Sequence, residues 1–136
     1  MNEPEGSPPD RLRVAPASRF AGESHVLDLS VALARLRAEL HPGIGGHRQV
    51  TLFHRAPLSH VLFSFDAEGA LKRHAAEGLV TIHVIEGNMV VETDAGGNAL
   101  RAGQLLILNP GVAHSVRALE TSAMLLTVVM LSLIHI

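Results

Sequence analysis

The sequence predicts an all-β domain of short antiparallel strands, a sandwich or small barrel, with one short helix ahead of it. Three observations carry that expectation. From Gln49 onward the apolar residues come in short runs, most of them bounded by Gly, Pro, Asn or Asp. Two stretches have tight-turn chemistry: Glu86-Gly87-Asn88, and Asp94-Ala-Gly-Gly-Asn98, where glycines supply positive φ. No run between these turns has the 3.6-residue period of a helix, and many short strands at regular spacing argue against a parallel sheet.

The elements follow in order. Residues 1–22 are acidic and Pro-rich without hydrophobic periodicity, the composition of a disordered tail. Residues 23–48 hold an amphipathic helix and a linker. Leu29, Leu33, Leu36 and Leu40 recur at helical spacing, Asp28 or Ser30 can cap the start, and His41-Pro42-Gly43 ends it. Residues 49–130 form the β-domain, with strands expected at 49–54, 60–66, 79–85, 88–93, 104–108, 115–118 and 123–131. The last six residues, 131–136, read either as a translated sequencing-adapter end or as a native edge strand.

Composition removes several function classes. The chain has 136 residues, enough for one domain with a core that needs no cross-links. It has no Cys, so disulfides, thiolate catalysis and thiolate zinc sites are excluded. A net charge of -2 with interspersed signs offers no basic footprint for nucleic acid. Four Phe with no Trp or Tyr provide no stacking platform. The N-terminus lacks the basic and apolar regions of a signal peptide. The longest apolar run, residues 123–134, falls short of the roughly 20 residues that span a bilayer. The expectation is a soluble, cytoplasmic protein without nucleic-acid or membrane partners.

Nine histidines supply most of the candidate chemistry. His74 and His114 occupy marked places, each beside a glycine-bounded hairpin pattern. Glu77 lies three residues after His74. Turned inward, it completes a two-histidine, one-carboxylate face; turned outward, it is a solvated loop residue. Strand alternation sets Val80, Ile82 and Val84 on one face and Thr81, His83 and Ile85 on the other. His60 shares a strand face with Ser64 and is a third ligand if that face is interior, or an exposed hairpin-end residue if not. Arg101 and Arg117 are candidates for contact with an anion near the mouth. No Gly-x-Ser-x-Gly elbow and no phosphate-binding glycine loop occurs.

From about Gln49 to Met130 the chain resembles the cupin superfamily. The first cupin motif runs Gly, five residues, His-x-His, three or four residues, Glu, six residues, Gly. Gly69, His74 and Gly87 stand for its ends and first histidine, with one residue fewer between Gly69 and His74, while Ala76 and Val80 replace the second histidine and the glutamate. The second motif runs Gly, five residues, Pro-x-Gly, two residues, His, three residues, Asn. Gly103, Gly111 and His114 match it, whereas Asn109 and Ala118 replace the Pro and the Asn.

The resemblance implies a cupin/RmlC-like jelly-roll β-barrel, a double-stranded β-helix, lined by Leu62, Ile82, Val84, Leu106 and Leu108 or their neighbours. It implies a pocket at His74, His114, Ala76, Val80 and Ile82 for a small, mostly apolar ligand. The alternative is a metal-dependent oxygenase or isomerase. There Fe, Mn, Ni or Zn would be held by His74, His114 and either Glu77 or His60. A third reading is a structural module. The resemblance implies a homodimer, and the apolar strand from Met124 to Leu131 is a candidate for the contact.

Overall fold

A computed structural model describes residues 19–40 and 43–130. The proline-rich stretch 1–18, the helix stop at His41-Pro42 and the final six residues lie outside them. Phe20, inside the stretch expected to be tail, is buried and packs its ring 5.3 Å from Phe53.

Among the described residues helix α1 (Leu29–Arg37) precedes nine strands: β1 (His47–Arg55), β2 (Leu58–Phe65), β3 (Ala70–His74), β4 (Leu79–Glu86), β5 (Asn88–Thr93), β6 (Gly96–Arg101), β7 (Leu105–Leu108), β8 (His114–Ala118) and β9 (Ser122–Val129). They form two antiparallel sheets. The larger has the order β1-β2-β9-β4-β7 and the smaller β3-β8-β5-β6. Two antiparallel sheets fit the sandwich or barrel that the strand pattern predicts and the jelly roll that the resemblance implies.

Asp28 caps α1, its carboxylate accepting the Val31 N–H at 3.1 Å, which contributes about 1 kcal/mol. Arg35 and Arg37 in the last turn oppose the negative end of the helix dipole. The helix ends at Arg37, one turn earlier than the leucine spacing suggests. Leu33 and Leu36 are buried, but Leu40 is 84% exposed, so burial does not draw the helix on to it. Leu33 and Leu36 rest on Leu62 and Ala123, flanked by Val50, Leu52 and Ile85. Arg37 fixes the contact by donating to Ser64 Oγ at 3.1 Å, Glu86 at 3.1 Å and the Ser122 carbonyl at 3.5 Å.

The main core lies between the sheets. Phe63, Phe65, Val80, Ile82, Val84 and Met124 come from the larger sheet, and Met89, Val91, Val116 and Ala118 from the smaller. Leu108 belongs to this core, with Leu106 packed against it at partial burial. Leu62 does not line the interior. Strand alternation turns Phe63 and Phe65 inward and Leu62 outward beneath α1. β9 does not form a sheet edge, because β2 and β4 pair with it on both sides.

Two strands are absent from the sequence expectation. β3 is polar along most of its length. β6 begins on Gly96-Gly97, which pattern reading places in a loop. Thr93 pairs with Gly96, so Asp94-Ala95 alone makes the turn. Gly87 is required at the β4–β5 turn. Its φ is 89°, and a Cβ would collide with Ser122 Oγ and the Thr121 carbonyl.

Candidate functional site

The site begins with a β-bulge. In a regular ladder Leu71 opposite Val116 would place Arg73 opposite His114. Instead the register between β3 and β8 slips by one residue, and His74 stands opposite His114. A bulge adds one residue to one strand and so reverses the face of all that follows. Here it turns His74 onto the face of Leu71, Val116 and His114. The imidazole rings lie 4.5 Å apart, tilted by 56°. On the other side of β8, Thr93 of β5 is opposite His114. One row across the smaller sheet therefore reads His74, His114, Thr93.

The two imidazoles share a local hydrogen-bond pattern but differ in environment. His74 Nδ1 donates to the Lys72 carbonyl at 2.9 Å, and His114 Nδ1 donates to the Val112 carbonyl at 3.1 Å. A carbonyl accepts only, so each neutral ring carries its proton on Nδ1 and its lone pair on Nε2. His74 is exposed, whereas His114 is 2% exposed. Burial pushes the His114 pKa below the ordinary 6.5. The Val112 hydrogen bond works against that shift, and the nearby His74 charge adds to it. His114 is therefore neutral at pH 7, an acceptor through Nε2.

The other expected residues divide. Val80 and Ile82 are buried in the core cluster, and Ala76 packs against it while its carbonyl accepts the Gly111 N–H at 2.8 Å. Gly111 has φ 85°, which favours glycine at the bend leading to His114. Glu77 is exposed. His60 lies on the outer face of the larger sheet with Leu62 and Ser64, and its Nδ1 is 2.9 Å from Thr127 Oγ1. The sheet separates it from the interior, which corrects its assignment as a third ligand. His83 faces outward, as alternation requires.

Arg117 pairs with Glu68 at 3.3 Å on the outer surface. Arg101 lies beyond the opposite end of β8 from His114. There it lines a cleft of about 410 Å³ with Asn88, Leu100, Gln104, Leu119 and Glu120. Neither arginine is at the histidine row.

Thr93 is the position that sequence reasoning missed. Its hydroxyl accepts the Ala95 N–H at 3.1 Å and faces the Gly96 carbonyl at 3.4 Å. Only the β5–β8 register reveals it, and no local motif marks it.

Residues 61–130, just over half of the chain, match the family model described as a cupin domain. The chain belongs to the cupin family. A search of curated proteins gave no match. Among solved structures this cupin is similar to a conserved protein of unknown function, SPY1581, from Streptococcus pyogenes. The two are 24% identical over 82% of this chain and 91% of that one, with a TM-score of 0.65. It is similar to an RmlC-like cupin from Shewanella frigidimarina, at 23% identity over 68% and 83% of the two chains, TM-score 0.60. It is also similar to KdgF from a Halomonas species, at 22% identity over 69% and 86%, TM-score 0.59. At these identities the likeness extends to the fold.

Metal-binding cupins use a ring of inward ligands, and the donor set here does not supply one. Among the described residues no three His, Cys, Asp or Glu side chains gather as a metal-holding group. His74 and His114 meet, but Ala76 and Val80 offer no donor, Glu77 is exposed and His60 is on the wrong face. Two imidazoles fall below the three protein ligands of a catalytic zinc site or the four of a structural one. The residues present do not fit the family's metal centre.

Proposed function

We propose that this cupin binds a small, mostly apolar molecule at the His74–His114 row, without robust catalysis. The observation that carries the reading is the matched histidine pair. A bulge brings the rings together, and backbone carbonyls hold both protons on Nδ1. A bulge that re-aims a side chain is a common device near functional sites. In its neutral form each imidazole presents an Nε2 acceptor to a ligand hydroxyl or N–H, and Val80, Ile82, Val116 and Ala76 supply apolar surroundings. The row adds no third His, Cys, Asp or Glu side chain to the pair among the described residues.

The test is a thermal-shift screen of small hydroxylated and N–H-bearing apolar compounds, run on the wild type and on His74→Ala/His114→Ala. Compounds that raise the wild-type melting temperature and leave the double variant unmoved support the reading. A panel without any shift, or shifts that survive in the double variant, count against it. Elemental analysis of untagged protein serves as a second arm. About one equivalent of Fe, Mn, Ni or Zn in the wild type and none in the variant would replace this reading with a metal-dependent one.

A further inference from the structure

Three arginines lie on the smaller sheet, and their surroundings differ. Arg73 pairs with Asp94 at 2.8 Å and Arg117 with Glu68 at 3.3 Å. Arg101, the last residue of β6, has no carboxylate within ion-pair distance among the described residues. Yet a carboxylate lines the same cleft of about 410 Å³. Glu120 accepts the side-chain amide of Asn88 instead of pairing with Arg101. Opposite charges that share a cleft without meeting are each left able to take a counter-charge from outside.

Register sets their spacing, and backbone bonds fix the walls. Asn88 stands opposite Arg101 across β5 and β6, and on its other side the Leu119 N–H donates to the Asn88 carbonyl at 2.9 Å. Arg101, Asn88 and the Leu119-Glu120 corner therefore follow one another across the end of the sheet. At roughly 4.8 Å per strand, the backbones that carry the two charges are about 10 Å apart. The turn after Arg101 is held by Gly103 N–H to the Val84 carbonyl at 2.8 Å and Gln104 N–H to the Arg101 carbonyl at 3.0 Å. Gln104 Oε1 accepts the Arg101 N–H at 2.9 Å, which leaves its amide N–H groups as donors beside the guanidinium. Asn88 donates through Nδ2 to Glu120, which leaves Oδ1 as an acceptor beside the carboxylate. Leu119, 43% exposed, and Leu100 add apolar wall.

We propose that this cleft binds a free α-amino acid with an aliphatic side chain. The Arg101 guanidinium takes the carboxylate as a charge-assisted pair, with the Gln104 amide beside it. Glu120 and Asn88 Oδ1 take the ammonium, and Leu119 and Leu100 meet the aliphatic chain. A simple anion would have Glu120 as a repelling neighbour, and a simple cation would have Arg101; a zwitterion satisfies both. The volume falls in the lower part of the roughly 300–1,000 Å³ range of small-molecule sites, as suits a ligand of this size. The site is separate from the histidine row, because Leu119 and Glu120 follow the end of β8 and His114 begins it.

L-Leucine is the probe, titrated into the isotope-labelled full chain while NMR follows the backbone amides. The signals of Arg101, Gln104 and Leu119 should move and saturate. N-Acetyl-leucine lacks the ammonium and leucinamide lacks the carboxylate, and each should bind at least about tenfold more weakly. Arg101→Gln and Glu120→Gln should each weaken leucine by a similar factor, whereas His74→Ala/His114→Ala should bind it as the wild type does. Both analogues are tested on the wild type, so the outcome does not depend on how the variants fold. No saturable movement with leucine overturns the proposal. So does equal binding of either analogue, or leucine binding that survives either charge variant. Binding that is lost in the histidine variant would assign leucine to the histidine row and overturn it as well.

Discussion

The two sheets divide the work unequally. The inner positions of the larger sheet are aliphatic or aromatic through Phe63, Phe65, Val80, Ile82, Val84 and Met124, and its outer face carries the helix. The smaller sheet contributes Met89, Val91, Val116 and Ala118 to the same core, then ends in the row His74, His114, Thr93. One sheet is scaffold on both faces; the other changes from scaffold to polar site within two residues of a strand. A substitution in the first is expected to alter stability, and one in the second to alter chemistry. Four measurements break or sharpen that contrast.

The largest effect is expected at Phe65. It is fully buried, stacks on Phe63 at 5.9 Å and meets the His47 ring at 5.6 Å. Phe65→Ala should cost about 3–5 kcal/mol, the range for deleting a buried aromatic ring. Urea denaturation measures it. A loss under 1 kcal/mol would mean that the larger sheet is not the scaffold described.

Arg37→Met comes next. The guanidinium ties the helix end to Ser64, Glu86 and the Ser122 carbonyl, but it is partly solvated. A net loss of about 1–2 kcal/mol is expected after solvent competition, chiefly from the contacts to Ser64 and Ser122. Salt should change little of it. A destabilisation that disappears in 1 M NaCl would assign the whole effect to the exposed Glu86 pair instead.

These two residues also show what the sequence made legible. Alternating apolar strands and turn glycines located seven of the nine strands, because burial on one face leaves a period-two trace. The phase of that trace was not readable in β2. With Val61, Leu62, Phe63 and Phe65 all apolar, nothing local says that Leu62 faces the helix and its neighbours the core. β3 left no trace at all, since Lys72, Arg73 and His74 read as loop. Its bulge is a property of pairing with β8, and pairing is long-range. His74 and His114 were found through glycine-framed spacing. That Glu77 is solvent-exposed, that His60 faces outward and that Thr93 joins the row depended on register, which single-strand patterns do not encode.

The third test concerns pH. The His114 pKa is lowered in the fold, so between the folded and the ordinary value the unfolded chain binds the extra proton. Its contribution to stability is complete above the unfolded value of 6.5 and is lost as pH falls through the lower folded value. The slope from one group is at most about 1.4 kcal/mol per pH unit. Chemical denaturation of wild type and His114→Gln between pH 7.5 and the mid-acid range isolates it. The wild type should lose more stability than the variant on acidification. Parallel curves would show that His114 is not the group that resists protonation.

The smallest stability effect is expected at His74, and it gives the sharpest reading of the pair. His74 is exposed, so His74→Ala should change stability by no more than about 0.5 kcal/mol. It should nevertheless move its neighbour. Part of what holds the His114 pKa down is the charge on His74, 4.5 Å away ring to ring. Removing that ring takes away the repulsion and opens a path for water to the buried His114 ring. Both changes favour the protonated form, so the His114 titration should shift upward in the variant. Burial is the larger cause, so the shift should stop short of the ordinary value. NMR titration of the imidazole protons follows this directly. An unchanged or lower His114 pKa would mean that the rings are neighbours without electrostatic contact, and the row would lose its claim to act as one acceptor pair.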